Sequence, residues 1–294
     1  MSKAQANGLV YEVSIVVPIY NGEEYIAAKL ESLKGIEGVN HEVIIALNKS
    51  TDESEELIDC HSRDIPNLRV IKYSSYVEGG RNFQEGVMAA RGNFIFVSAV
   101  DDICDKEFYR EAVEILIENE NVCAVSPMSR FEDNSHGDIP IGFELLGDTQ
   151  ERIRTLFQNI RVSHGIFYSL IRRNVATTLY RDFSKDYSFI GSDWLFDLKL
   201  ALEGQVFRAK GSVCVFGVKG MSKGRNHLYP VGTSYFKRIF PYSNLVAKII
   251  KLSKGQKLSV KVLLFNISLA LLWGNLHRFI FSIPNIRKLW KVVT

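Results

Sequence analysis

After a short polar start, the chain runs through an apolar stretch, Val13 to Pro18, that ends in Ile19-Tyr20-Asn21-Gly22. A brief continuous apolar run bounded by turn residues predicts a strand buried on both faces. The period then changes. From Glu23 to Leu33, Ile26, Leu30 and Leu33 recur on one face of a helix. The same alternation repeats along the first half. Glu42 to Leu47 predicts a strand, Asn48 to Asp52 a turn, and Glu53 to Cys60 a helix. Leu68 to Tyr73 and Asn93 to Val100 predict two more strands, with a short glycine-closed helix over Asn82 to Gly92 between them. Lys106 to Asn119 predicts a helix and Val122 to Pro127 a strand. Strands alternating with helices predict an α/β fold, a mostly parallel sheet covered on both faces.

The second half is less regular. Asp133 to Thr149 is polar and predicts a loop, Gln150 to Gln158 a helix, and His164 to Leu170 a strand. Ser192 to Glu203 predicts a helix ended by Gly204, and Val206 to Phe216 an extended segment. Beyond Tyr235 the chain becomes basic and apolar. Lys237, Asn244, Lys248 and Lys251 fall on one helical stripe, while Ile239, Leu245, Val246, Ile249 and Ile250 fall mainly elsewhere. That is a basic amphipathic helix. Val260 to Trp273 is apolar but shorter than the ~20 residues a spanning helix needs, which predicts an in-plane or packing helix. A boundary near His227 therefore separates a domain at 1–227 from a basic, helical, membrane-associating extension at 228–294.

Charge sharpens that boundary. The first 203 residues hold all 33 acidic residues and 20 basic ones; residues 204–294 hold 16 basic residues and no acid. So one-sided a block points to an anionic partner. The four cysteines, Cys60, Cys104, Cys123 and Cys214, are scattered, with no C-x-x-C pair. They argue for a reducing compartment and against a disulfide framework or a zinc site. The first apolar run is too short for the core of a signal peptide.

The candidate chemistry sits at Asp101-Asp102, which follow the apolar run Phe94 to Val100. Open α/β sheets hold ligands at the carboxyl ends of their strands. A carboxylate there can hold a divalent cation, which in turn holds a diphosphate. Lys219, Lys223, Arg225 and His227 form a basic, glycine-rich stretch suited to clamping a diphosphate directly. His164, in Ser163-His164-Gly165, reads as a structural histidine. The chain has no G-x-x-x-x-G-K-[ST] and no strand-linked G-x-G-x-x-G, which leaves P-loop and Rossmann readings without support. The tail has no helix-turn-helix or zinc pattern and is too apolar to read a nucleic-acid groove.

With these residues in order, about residues 13 to 225 resemble the inverting family-2 glycosyltransferases with a GT-A fold. Val13-Ser14-Ile15-Val16-Val17-Pro18-Ile19-Tyr20-Asn21-Gly22-Glu23 is similar to the family's opening strand and turn. Ser50-Thr51-Asp52 is similar to the turn after its second strand, Asn82 to Gly92 to the helix before its metal strand, and Asp101-Asp102 to its D-x-D region. Gly191-Ser192-Asp193-Trp194, followed by Leu200-Ala201-Leu202-Glu203-Gly204, is similar to the segment carrying its catalytic base. The resemblance implies Asp193 as general base and Asp101 as ligand of Mn2+ or Mg2+. It implies a nucleotide-sugar site from Pro18, Tyr20, Glu23, Asn48, Arg81, Asp101, Asp102, Trp194 and Lys219. Three positions depart from the family. Leu47-Asn48-Lys49-Ser50 stands for D-D-G-S, Ala99 for the first Asp of D-x-D, and Lys219 for a histidine found in many relatives.

The expected function is transfer of a sugar, with inversion, from a nucleotide donor to a glycan or lipid-linked acceptor, as in bacterial surface-polysaccharide synthesis. The expected location is the cytoplasmic face of the membrane, held peripherally on its anionic surface, with no nucleic-acid partner. The alternative is a noncatalytic nucleotide-sugar-binding or scaffold protein that keeps the fold, and Ala99 and Leu47 favour it. A nucleotidyltransferase would need a glycine-rich basic loop after the first strand, where this chain has the acidic Tyr20-Asn21-Gly22-Glu23-Glu24.

Overall fold

Strand β1 (Val13–Ile19) lies between β2 (His41–Leu47) and β4 (Phe94–Val97), parallel to both, and β3 (Leu68–Lys72) adds parallel to β2. Every residue of β1 and β2 is buried, the polar Ser14, His41 and Glu42 included, as in strands covered on both faces. These assignments come from a computed structural model that describes residues 11–133, 137, 139–187, 189–217 and 240–282.

The rest of the sheet corrects the expectation of a mostly parallel one. The strand order is β3-β2-β1-β4-β7-β6-β8-β5, where β5 is Ile103–Cys104, β6 Val122–Phe131, β7 Leu170–Arg172 and β8 Gln205–Phe216. β6 and β8 run parallel, but β7 is antiparallel to both β4 and β6, and β5 is antiparallel to β8. The sheet is mixed. Its antiparallel members are two and three residues long, too short to show a period in the sequence. The strand expected at His164 to Leu170 begins instead as a helical turn, α6 (His164–Phe167), and only Leu170 onward joins the sheet.

Helices α1 (Glu23–Leu33), α2 (Ser54–His61) and α4 (Glu107–Glu118) follow the predicted alternation, whereas α3 (Gly79–Met88) starts three residues before the expected Asn82 and is capped by Ala89 rather than closed by Gly92. α3 lies very close to the sheet. A Cβ at Gly86 would come within 2.6 Å of Val16 and 3.4 Å of Ala46, so only glycine admits that approach. Further helices are α5 (Thr149–Gln158), α7 (Arg173–Tyr180), α8 (Phe183–Asp186) and α9 (Ser192–Glu203). α5 starts with a capping box between Asp148 and Glu151. The principal core joins β1, β2, β4 and β6 to α1 and α4 through Ile15, Val17, Ile26, Leu30, Val43, Ile45, Phe96, Phe108, Leu116 and Val125. Each fully buried apolar side chain of this size contributes about 1.5–3 kcal/mol.

A charged group is buried at the amino end of the sheet. The Glu42 carboxylate is 0% exposed and accepts from Ser14 Oγ at 2.7 Å, from the Arg91 N–H at 2.7 Å and from Arg69 Nε and Nη2 at 3.1 and 3.0 Å. It joins β1, β2, β3 and the turn before β4.

Cys104 and Cys214 face each other across the antiparallel pair β5 and β8, with their sulfur atoms adjacent, a proximity that their scattered spacing in the sequence does not show. They lie 110 residues apart in sequence, and strand pairing alone sets them opposite each other. Cys60 and Cys123 are free.

The chain divides into two compact units, Met1–Ser188 with Phe196–Gly220, and Phe189–Leu195 with Met221–Thr294. In the second, α10 (Ser243–Ser253) packs on α11 (Leu258–Ser282), with Leu245, Val246, Ile249, Val260 and Leu264 buried. The apolar stretch expected over Val260 to Trp273 is thus part of one 25-residue helix. Among the described residues, no helix is long and apolar enough to cross a membrane. The boundary expected near His227 lies outside the described residues.

Candidate functional site

The site in the first unit is built on the carboxyl ends of β1, β2 and β4. The turns after β1 and β2 are laced together. Asn21, in the left-handed conformation at φ 50°, donates its N–H to Ser50 Oγ at 3.1 Å and accepts from the Thr51 N–H at 2.9 Å. The Gly22 N–H donates to Ser54 Oγ at 2.9 Å, and the Glu23 N–H to the Asp52 carboxylate at 3.1 Å. In return the Glu23 carboxylate accepts from the Glu53 N–H at 3.0 Å. Burial tends to raise the Asp52 pKa, but hydrogen bonds from the Ser54 side chain and from the Glu23 and Ser54 N–H groups hold it below the ordinary 3.8.

Pro18 is buried inside β1, opposite Ala46. Tyr20 is 44% exposed, and its ring meets that of Tyr76 edge-on at 5.1 Å. The Asn48 side chain is 2% exposed and is spent on backbone. Its amide donates to Val77 O at 2.7 Å, and its oxygen accepts from the Val77 N–H at 2.9 Å and the Lys49 N–H at 2.9 Å. Asn48 thereby fixes the loop that carries Tyr76. Arg81 stands exposed on the first turn of α3, paired with Glu85 one turn on.

At the end of β4 the two acidic residues part in character. Asp101 is half-buried and lies against Gly217, where a Cβ would collide with its carboxylate. Asp102 is 5% exposed. Its Oδ1 accepts from the Gly217 N–H at 3.1 Å, and its buried Oδ2 has no hydrogen-bond partner. The residue after β8 therefore grips both acids.

Beneath them is Lys29 of α1, 1% exposed, with Nζ donating to Ser98 Oγ and to Asp102 O at 2.5 Å each. Burial lowers its pKa, against the pull of Asp102 and then Asp101. Burial likewise raises the Asp102 pKa, with Asp101 adding to the rise and Lys29 opposing it. Tyr168 completes the wall. Its ring lies 5.3 Å from that of Phe216, and burial, followed by the Asp102 charge, raises its phenol well above the ordinary 10.0.

Sequence reading missed Lys29, Gly217, Tyr168 and Tyr76. Only Lys29 left a signal. It falls between Ile26 and Leu30 on the apolar face of α1, where a solvated lysine has no place. His164, read as structural, packs edge-on against Phe131 at 5.0 Å.

Asp193 and Trp194 belong to the second unit. Asp193 lies in the first turn of α9, the acid-favouring end of a helix dipole. Gly191, at φ 83°, makes the turn before it, with no room for a Cβ beside Leu245. The Trp194 indole stacks on Tyr242 at 5.1 Å, so one of its faces is covered. Lys219, Lys223, Arg225 and His227 lie outside the described residues, as does Lys237.

Residues 14–179 match the family described as Glycosyl transferase family 2. The abequosyltransferase RfbV of Salmonella typhimurium is 33% identical over 99 residues, 32% of this chain and 29% of its own. The poly(ribitol-phosphate) beta-N-acetylglucosaminyltransferase TarS of Staphylococcus aureus is 28% identical over 109 residues, 36% of this chain and 19% of its own. The matches therefore span under a third of either relative's length. Residues 1–349 of TarS, solved with UDP-GlcNAc, superpose at TM-score 0.62 and 18% identity, covering 92% of this chain and 73% of that one. The mannosyltransferase PcManGT of Pyrobaculum calidifontis, solved with GDP-Man and Mn2+, superposes at 0.54 and 16% identity, covering 90% and 73%. At these identities the superpositions establish the shared fold.

Proposed function

The chain belongs to glycosyl transferase family 2, and we propose that it moves one sugar, with inversion, from a nucleotide-sugar donor to a glycan or lipid-linked acceptor in bacterial surface-polysaccharide synthesis. The observation that carries the proposal is the Asp101-Asp102 turn at the carboxyl end of β4, gripped by Gly217 and backed by Lys29. The named relatives are sugar transferases, and the solved ones hold UDP-GlcNAc, or GDP-Man with Mn2+.

The turn fits a hard divalent cation, Mn2+ or Mg2+, shared with a diphosphate. It offers the half-buried Asp101 and an unpartnered oxygen of Asp102, and no cluster of three metal-ligating side chains exists among the described residues. Such cations typically take one or two carboxylates and complete their shell with phosphate oxygens and water. Asp101 would hold the ion, which as a Lewis acid would neutralise charge on the departing diphosphate.

The chain's own groups do the remainder. The laced turns present Tyr20 as a platform for the nucleotide base, with Pro18, Glu23 and Asn48 shaping that end and Arg81 reaching the base or a phosphate. Lys219 adds positive charge for the diphosphate. Asp193 takes the proton from the acceptor hydroxyl as its oxygen bonds to the anomeric carbon and the bond to the diphosphate breaks. That single displacement inverts the centre, and general-base assistance typically contributes ~10²–10⁴-fold. Trp194, stacked on Tyr242, would form an apolar wall for a sugar ring.

The noncatalytic alternative has one structural point in its favour. Asn48, at the family's base-recognition turn, is fully engaged by Val77 and Lys49. Incubation with UDP- and GDP-sugars, with and without Mn2+, separates the two readings. A catalyst releases nucleoside diphosphate. A binder shows only a thermal shift, worth about 2.7 kcal/mol at 100 times the dissociation constant.

We place the protein at the cytoplasmic face of the membrane. The cysteine spacing and the basic tail support that location, and the adjacent Cys104 and Cys214 sulfurs are where an oxidising compartment would leave a bond. Differential alkylation of protein taken directly from cells decides between the two compartments, with free thiols at both positions as the expected result.

A further inference from the structure

Helix α11 is apolar on two sides. Val260, Leu264 and Ser268 are buried on the side that meets α10. On the other side Leu258, Val262, Phe265, Leu269 and Trp273 are each at least 50% exposed. Their spacings of four, three, four and four residues make one continuous stripe, roughly 22 Å long at 1.5 Å per residue. Scattered exposed apolar residues are ordinary, but five in a line on one helix mark a surface that something covers. Phe240 and Trp273, with Leu269, Ala270 and Leu272, line an open hollow of about 490 Å3 at its far end.

The flanking charge identifies the occupant. Lys251, Lys254, Lys257 and Lys261 are exposed around the α10–α11 turn and along the rim of the stripe. No acidic residue lies anywhere beyond Glu203 to offset them. A second copy docking stripe to stripe would bring two sets of lysines together, with no acid beyond Glu203 in either copy to offset them. An anionic bilayer instead offers hydrocarbon for the stripe and phosphates for its rim. Among the described residues, no helix is long and apolar enough to cross a membrane.

We propose that α11 lies in the plane of an anionic membrane surface, with Val262, Phe265, Leu269 and Trp273 among the acyl chains and Lys251, Lys254, Lys257 and Lys261 on the headgroup phosphates. This goes beyond the transferase reading and is measured without any donor, so either can fail alone.

The test is flotation of the full chain with vesicles of phosphatidylglycerol and phosphatidylcholine, or of phosphatidylcholine alone, at low and high salt. The wild type should float with the anionic vesicles, and high salt should remove only part of it. The triple variant Val262→Ser, Phe265→Ser, Leu269→Ser should lose at least about tenfold in partitioning, because three apolar groups no longer leave water. Its thermal midpoint should hold, since all three sites are exposed. Trp273 emission, isolated by difference from Trp273→Phe, should shift to the blue and be quenched by lipids brominated near the headgroup end of the acyl chain. Wild type left in the supernatant with anionic vesicles overturns the proposal, as does a triple variant that floats equally well. Complete release by salt without Trp273 quenching also overturns it, by showing attachment through charge alone. Self-association of the lipid-free wild type that the triple variant abolishes assigns the stripe to a copy–copy interface instead.

Discussion

Gly217 shows how much a single missing methyl group decides. Its N–H holds Asp102, and the space its side chain would fill is taken by the Asp101 carboxylate. Gly217→Ala should therefore displace Asp101 and weaken Mn2+-supported binding of a nucleoside diphosphate, by calorimetry, about as much as Asp101→Ala does. Equal metal enhancement in wild type and Asp101→Ala would remove Asp101 as the ligand. Lys29 makes a different kind of contribution. Lys29→Met keeps much of the volume and leaves Ser98 Oγ and Asp102 O without their donor. Each buried group left unsatisfied costs about 1–3 kcal/mol, so denaturant unfolding should show a loss of that order. An unchanged midpoint would mean that water replaces the ammonium. None of these roles follows from local sequence. Lys29 meets Asp102 across 73 residues and Gly217 meets it across 115.

At the scale of elements, the sequence shows those whose period is long enough to read. β1, β2, α1 and α4 run for 7 to 12 residues with one clear spacing, and the structure has them where the pattern predicts. β5, β7 and α6 are two to four residues long, so neighbours rather than local period decide their state. Those short pieces turn an expected parallel sheet into a mixed one. Glu42 was legible as part of a strand but not as its electrostatic anchor, because its partners come from three other segments. Glu42→Ala strands the Arg69 charge and leaves the buried Ser14 hydroxyl without its acceptor, and should destabilise by about 3–5 kcal/mol in denaturant melts, with Glu42→Gln milder. A loss under about 1 kcal/mol would show that solvent reaches this end of the sheet. The paired turns after β1 and β2 have an acid limit. The Asp52 pKa is lower in the fold than in the unfolded chain, so its contribution is complete above the ordinary 3.8 and disappears as pH falls through the folded value. Asp52→Asn should flatten the stability profile in that acid window and leave neutral pH dependence unchanged.

Taken whole, the molecule places its most legible chemistry at Asp101-Asp102, because an apolar strand emptying into two acids is visible in the sequence alone. The family match covers residues 14–179 and stops short of Asp193. The base assignment therefore rests on the Gly191-Ser192-Asp193-Trp194 segment and its place at the start of α9. The most direct test of the proposed function is turnover by Asp193→Asn, measured as nucleoside diphosphate release with acceptor under saturating donor. The amide keeps the shape and cannot take the proton. Turnover should fall at least about 100-fold, with donor affinity and thermal midpoint nearly unchanged. A folded variant that retains more than about a tenth of wild-type turnover would contradict it.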